Sequence, residues 1–235
     1  MAHPYYKTTR LVLLPCMALL LLTACGKSDS SSSSHAQERE EERKFRQSGD
    51  VYRAVLTPLN KQLSGSPSGI VEVRIVNGEI IIESAMTDTP AGVKHLQAIH
   101  ERGKCPDVTH DLNQDGVIDI EEALSQTGKM LIPLDDDLKT QNSGITFGPV
   151  SNEWGNYVYQ RSTFQDQLLS DLHAGETPAH EYLAKLPKDE QLNLINRSVV
   201  IYGIAAGETT NSQISFNGHT PEESLPIACG KFEKI

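Results

Sequence analysis

The alternation of apolar and polar positions in the central part of the chain is that of short β-strands. Val71, Val73 and Ile75 alternate with charged residues, which is typical of a strand that buries one face. Asn77-Gly78 follows and favours a two-residue hairpin turn. The same reasoning predicts further strands over 51–56, 79–86, 145–150, 156–164, 198–204 and 227–232.

These short strands are separated by turns rich in Gly, Pro and Asn, which favours a mainly β fold, a Greek-key β-sandwich or barrel. Residues 51–235 are long enough for one domain with its own core. Between 163 and 196 the apolar period becomes helical, and Leu168 and Leu172 fall on one face. We therefore expect a short helical excursion over 163–196, packed on the β domain.

The N-terminus has the pattern of an export signal. Lys7 and Arg10 precede an apolar run over 11–22 that is too short to span a bilayer comfortably. The run ends in Leu22-Thr23-Ala24-Cys25, which resembles a bacterial lipobox, in which the Cys becomes the lipid-modified first residue. We predict a signal peptide over 1–24 and lipid attachment at Cys25; the alternative is an ordinary secretory signal cut near Ala24.

The expected location is the cell envelope. Gly26 rather than Asp follows the Cys, which favours the bacterial outer membrane, with the domain facing the periplasm or the surface. Residues 25–50 are predicted to be a lipidated flexible tether, because the serine run 30–34 has no apolar side chain to bury. Its role would be to hold the domain away from the membrane.

Charge excludes one class of partner. The chain has 21 basic and 31 acidic residues, and removal of residues 1–24 takes away two basic and no acidic residues. The formal net charge of the mature chain is therefore −12 instead of −10. Such an acidic chain is a poor candidate for binding nucleic acid. The lipid anchor is its only membrane signal, and no feature of the sequence identifies a protein partner.

One acidic segment carries the strongest chemical signal. Residues 111–122, DLNQDGVIDIEE, match the calcium-loop pattern D-x-[DN]-x-[DN]-G-x5-E. Calcium takes six to eight oxygen ligands, and Gly116 permits the sharp turn around the ion. Glu122 can give both carboxylate oxygens, Val117 its backbone carbonyl, and Asp119 a contact through water. The predicted Ca²⁺ ligands are Asp111, Asn113, Asp115, Val117, Asp119 and Glu122.

The alternative for this segment is an acidic surface turn that binds nothing. Gly103, Cys105 and Pro106 do not suit a long helix before the loop, whereas a helix can start at Glu121. The prediction is therefore an EF-hand-type loop inserted over 106–128, not a paired EF-hand domain.

The cysteine count predicts a disulfide. Cys16 leaves with the signal peptide and Cys25 carries lipid, so Cys105 and Cys229 remain. In an exported protein the simplest arrangement pairs them. The alternative is two unrelated buried thiols.

Three segments resemble copper/zinc superoxide dismutase. HLQAIHERGKC over 95–105 resembles the strand with copper ligands, followed by the Gly and the disulfide Cys. PIACG over 226–230 resembles the last strand with the partner Cys, and RSVVIY over 197–202 a late strand with another copper ligand. The resemblance implies that family's Greek-key fold and a Cys105–Cys229 disulfide. The chordin-type (CHRD) domain is a second resemblance.

The differences from the superoxide dismutase family at the copper-ligand positions argue against superoxide dismutation by this protein. His100 falls at one copper-ligand position, but Ala98 and Tyr202 stand where further imidazoles belong. His95 is five residues from His100, so the two face opposite sides of a regular strand. One imidazole cannot hold copper through its redox cycle. We expect no catalytic residues and no enzymatic activity, with His95 and His100 in structural roles.

Two rival functions stay open at this point. One is a divergent copper enzyme that combines His100 with another histidine, the candidates being His110, His173, His180 and His219. The other is a calcium-dependent adhesion or assembly module that recognises another component of the envelope. A measurement of bound copper distinguishes the copper enzyme from a calcium-binding structural module. A pull-down with and without calcium distinguishes the adhesion or assembly module from that structural module.

Overall fold

The computed structural model describes residues 49–141, 148–174, 181–208 and 218–235. The predicted signal peptide, Cys25 and almost all of the predicted tether lie outside these ranges, as do His180 and the first half, 145–147, of the predicted strand 145–150. Within the described ranges, no helix has the length and apolar character needed to cross a bilayer.

The described residues form one antiparallel sheet of eight strands, in the order β5-β4-β7-β8-β1-β2-β3-β6. The protein is thus mainly β, with few helices. The strands are β1 (Asp50–Pro58), β2 (Ser68–Val76), β3 (Glu79–Thr87), β4 (Gln97–His100), β5 (Met130–Pro133), β6 (Tyr157–Phe164), β7 (Ser198–Tyr202) and β8 (Pro226–Lys234). The α-helices are α1 (Lys61–Ser64), α2 (Ile120–Thr127), α3 (Gln165–His173) and α4 (Pro221–Ser224).

The predicted hairpin is present between β2 and β3. Val76 pairs with Glu79, and the two turn residues Asn77 and Gly78 have φ values of 51° and 80°. Asn and Gly are the residues that adopt this left-handed conformation most readily, so the sequence of the turn fixes the register of the hairpin.

The sheet curls so that its two halves face each other in a sandwich-like arrangement. Inward side chains of both halves share one core, to which Ile82 of β3, Ile99 of β4 and Phe232 of β8 belong. A polar contact also crosses this core, because the Ser84 hydroxyl donates a hydrogen bond to Gln97 Oε1 at 3.1 Å. The interior therefore joins the strands before and after the acidic loop into one unit.

A second apolar cluster lies on the other face of β4, β7 and β8. Ala98, Val200 and Tyr202 from the strands pack there with Ile118 and Ile120 from the loop segment and α2. The inserted segment thus covers the outer face of this half of the sheet. This packing positions the acidic loop, since its C-terminal half is anchored by buried apolar side chains.

The segment after β6 contains less helix than the prediction for 163–196 suggests. α3 occupies Gln165–His173, and most of 181–196 has no regular structure except for a 3₁₀ turn over Leu194–Asn196. Leu168 and Leu172 of α3 are buried on the main core, as their spacing predicts.

The first and last strands of the domain, β1 and β8, are neighbours in the middle of the sheet, and the two ends of the chain in this domain lie side by side. The backbone N–H of Ile235 donates to Val51 O at 2.9 Å, and Lys234 pairs with Asp50 at 2.5 Å. The end of β8 therefore lies beside the start of β1.

Candidate functional site

The disulfide predicted from the cysteine count is present between Cys105 and Cys229, with a Cα–Cα distance of 5.7 Å. Cys229 is fully buried on β8, and Cys105 lies in the segment that leads into the acidic loop. The bond therefore fixes the entry to the loop against the sheet.

The first half of the loop wraps around the carboxylate of Asp111. This carboxylate accepts hydrogen bonds from the backbone N–H groups of Asp115, at 3.1 Å, and Gly116, at 2.8 Å. Asp115 in turn accepts from the N–H of Val117 at 2.8 Å, and Asn113 Oδ1 from the N–H of Asp115 at 2.9 Å. Gly116 has a φ of 86°, which a residue with a Cβ rarely adopts.

The second half of the loop is closed by Glu122, in the first turn of α2. Glu122 Oε2 accepts from the N–H of Asp119 at 3.0 Å, while Asp119 Oδ1 accepts from the N–H of Glu122 at 3.0 Å. This reciprocal pair is a capping box and starts the helix. Glu122 Oε1 also accepts from the N–H of Leu112 at 2.7 Å, so one side chain joins both ends of the loop.

The loop concentrates negative charge. Asp111, Asp115, Asp119 and Glu122 lie within twelve residues, and no basic side chain in the described ranges forms a salt bridge with any of them. Burial raises the pKa of Asp119 above its ordinary value, and the neighbouring charges of Glu122 and Glu121 act in the same direction. The surroundings of Asp119 therefore oppose its ionisation.

The donor set fits a hard cation because every side chain concerned offers oxygen. Asp119 and Glu122 meet through the capping box, while Asp111 and Asn113 both accept from the backbone N–H of Asp115. The described residues contain no group of three or more His, Cys, Asp or Glu side chains spaced to hold a metal ion. The carboxylates are instead turned to backbone N–H groups. A carboxylate has about four lone-pair positions, so those hydrogen bonds leave capacity for an ion.

Sequence reasoning missed two residues that hold this loop from outside. Asn60 bonds the backbone of Ile118, and the Gln62 side chain donates to Gly116 O. Both belong to the segment after β1, and a cleft of about 530 Å³ lies between this segment and the approach to the loop at Pro106–Asp111. Nothing in the local sequence around Asn60 marks this role.

His95 points into the main core. Its ring stacks on Tyr157 with the centroids 5.3 Å apart, and Nδ1 donates to Tyr202 O at 2.9 Å. Burial lowers the pKa of His95. The ring is therefore packed against Tyr157 and held through one nitrogen, while Nε2 has no hydrogen-bond partner among the described residues.

His100 lies on the opposite face of β4, as strand alternation predicts, and contacts the end of α2. Nδ1 donates to Gly128 O at 2.9 Å, and Nε2 accepts from the Tyr202 hydroxyl at 2.7 Å. Both ring nitrogens are therefore used. Burial lowers the pKa of His100 to about 4, so this imidazole is neutral at pH 7.

The other histidines that the structure describes are not gathered around His100. His110 contacts Asp107 in a 3₁₀ turn before the loop, and His173 Nε2 donates to Glu190 O at 2.9 Å. His219 lies beside Glu223. Each belongs to a different element, so the described residues provide no cluster of imidazoles.

Comparison with models of known protein families and with curated proteins gives no match. The fold and the loop define a mainly β protein with an acidic, calcium-loop-like insertion on the outer face of its sheet.

Proposed function

We propose that this protein is a calcium-binding, lipid-anchored protein of the cell envelope. Its domain would be a Greek-key relative of superoxide dismutase without the dismutase reaction, and it would act as a binding or structural module. The acidic loop carries this proposal: four carboxylates lie within twelve residues, and none of them forms a salt bridge with a basic side chain in the described part of the chain.

The residues that would hold Ca²⁺ are Asp111, Asn113, Asp115, Val117 through its carbonyl, Asp119 through water, and Glu122. The ion would supply positive charge that neutralises these groups, which repel each other without it. Binding of the ion to Glu122 would have the largest effect on the loop structure, because Glu122 already joins Leu112 at the loop entrance to Asp119 at the start of α2. Calcium would thus stabilise the start of α2.

The kinship with superoxide dismutase is supported by the curled antiparallel sheet and by the disulfide between the two cysteines that the resemblance pairs. The contacts of His100 support the loss of copper chemistry. Its ring nitrogens bond Gly128 O and the Tyr202 hydroxyl, and Tyr202 itself replaces a copper-binding imidazole in the resemblance.

A thermal melt of the purified mature protein tests the calcium function. Extracellular calcium modules have a Kd of about 10⁻⁴–10⁻³ M, so 10 mM calcium is roughly a ten- to hundredfold excess and should stabilise the folded protein by about 1.4–2.7 kcal/mol. We expect millimolar calcium to raise the melting temperature above that in chelator, and magnesium to raise it less. An unchanged melt, together with no binding heat in calorimetry, would overturn the calcium function.

A further inference from the structure

The middle of the acidic loop is held by one side chain from a distant part of the chain. Asn60 Nδ2 donates to Ile118 O at 2.8 Å, and Asn60 Oδ1 accepts from the Ile118 N–H at 2.8 Å. The same Nδ2 donates to Pro226 O at 2.9 Å. Asn60 is buried, so these bonds are shielded from water.

This side-chain amide acts on Ile118 as a neighbouring strand would. A carboxamide has a donor and an acceptor side by side, as a peptide group has, and it satisfies both backbone groups of Ile118 at once. The exposed Gln62, two residues later, donates to Gly116 O. The segment after β1 therefore fixes the loop backbone at two positions.

The fixed positions lie among the predicted ligands. Ile118 stands between Val117, whose carbonyl is a predicted ligand, and Asp119, while its own side chain is buried in the second apolar cluster. A restraint on both backbone groups of Ile118 sets the direction of the peptide groups on either side. The carbonyl of Val117 belongs to one of these peptide groups.

Asparagine suits this position for a conformational reason as well. Asn60 has a φ of 50° and a ψ of 44°, the left-handed region, which Asn tolerates better than most residues with a side chain. The backbone turn after β1 and the amide contacts to the loop thus depend on the same residue.

We propose that Asn60 is a positioning residue for calcium binding: it does not touch the ion, but it holds the loop backbone in the binding geometry. This role rests on the calcium function proposed above. Through Pro226 O the same amide joins the loop to the start of β8, so calcium binding would stabilise the sheet and not the loop alone.

The test compares Asn60→Gly with wild type in the purified mature protein. Gly accepts the left-handed backbone and removes only the amide. We expect calorimetry to show calcium affinity about tenfold weaker, since buried hydrogen bonds that order the loop are lost. Hydrogen exchange of the Ile118 amide should become faster, while exchange in the β2–β3 hairpin stays as in wild type.

Asn77→Gly is the matched control, because Asn77 has a φ of 51° in the exposed hairpin turn. It should change calcium affinity by less than about twofold, since it touches no part of the loop. Gln62→Ala is a milder second variant and should weaken affinity about threefold through the loss of one hydrogen bond.

The outcomes separate the two proposals. If wild type binds calcium and Asn60→Gly binds it equally tightly, the positioning role of Asn60 is wrong and the calcium function stands. If wild type binds no calcium, the calcium function fails, and the positioning role fails with it. If Asn60→Gly does not fold, Gln62→Ala decides: weaker binding supports the positioning of the loop by this segment, and unchanged binding overturns it.

Discussion

Acid should destabilise this protein through His100. The imidazole is fully buried between β4, Tyr202 and the end of α2, and it donates to Gly128 O while it accepts from the Tyr202 hydroxyl. A proton added to Nε2 would remove the acceptor and place a charge in the apolar interior. The perturbation is a change of pH from 7 to 4.5.

The magnitude follows from the two pKa values of His100, about 4 in the folded protein against 6.5 for the ordinary group. Below pH 6.5 the unfolded chain binds a proton that the folded protein does not, so stability is lost as the pH falls from 6.5 towards 4. The full loss is about 3 kcal/mol, since one pKa unit corresponds to about 1.4 kcal/mol. Burial also lowers the pKa of His95, which adds a loss in the same direction.

The assay is urea unfolding of the mature protein at pH 7.0, 5.5 and 4.5, with chelator present so that calcium does not contribute. His100→Gln removes the titrating group and leaves an amide oxygen that can accept from Tyr202. It should be less stable than wild type at pH 7 and should lose less stability at pH 4.5. His173→Gln, on α3, is the control and should keep the wild-type acid sensitivity. Equal losses in wild type and His100→Gln would refute the reasoning.

Three further predictions concern the loop, the disulfide and the anchor. Glu122→Gln should weaken calcium binding about a hundredfold in calorimetry, because a charged bidentate ligand is lost; a Kd equal to that of wild type would contradict this. Cys229→Ser should cost about 3–5 kcal/mol in urea unfolding, since the disulfide closes a loop across 124 residues; an unchanged midpoint would contradict the stabilising role. Cys25→Ser should abolish incorporation of labelled fatty acid, and continued labelling would show that the anchor lies elsewhere.

The absence of dismutase activity is a prediction of its own. The copper-loaded mature protein should show no more superoxide dismutation than a free-copper control, because the described histidines lie on separate elements. Activity that disappears in His100→Gln would instead favour the divergent copper enzyme.

Strands with one accessible face and the apolar run of β7 could be predicted from the sequence, whereas the two four-residue strands β4 and β5 could not. β2 alternates buried and more accessible positions, and its hairpin turn has a local sequence signature. All four residues of β5 are buried, so Met130–Pro133 shows no alternation. β4 was indicated only by the family resemblance, because all four of its residues are also buried and show no alternation.

In the candidate site, what could be predicted depends on how far apart the residues lie in the sequence. Ligands of a calcium loop are neighbours in sequence, so their spacing alone marks them. Asn60 lies 58 residues before Ile118, and only the folded sheet brings the two together. The pairing of Cys105 with Cys229 could be predicted because the other two cysteines fall in the predicted signal peptide and at the predicted lipid site.

β1 runs from the start of the domain towards the acidic loop. This strand starts at Asp50, where the end of β8 also lies, and it runs for nine residues to Pro58, just before Asn60 and its contacts with the loop. A strand of that length spans roughly 27 Å at 3.3–3.4 Å per residue. The acidic loop therefore lies towards the end of β1 opposite to the point where the chain enters the domain. A tag fused after Ile235 would lie beside the start of β1 and leave the acidic loop accessible.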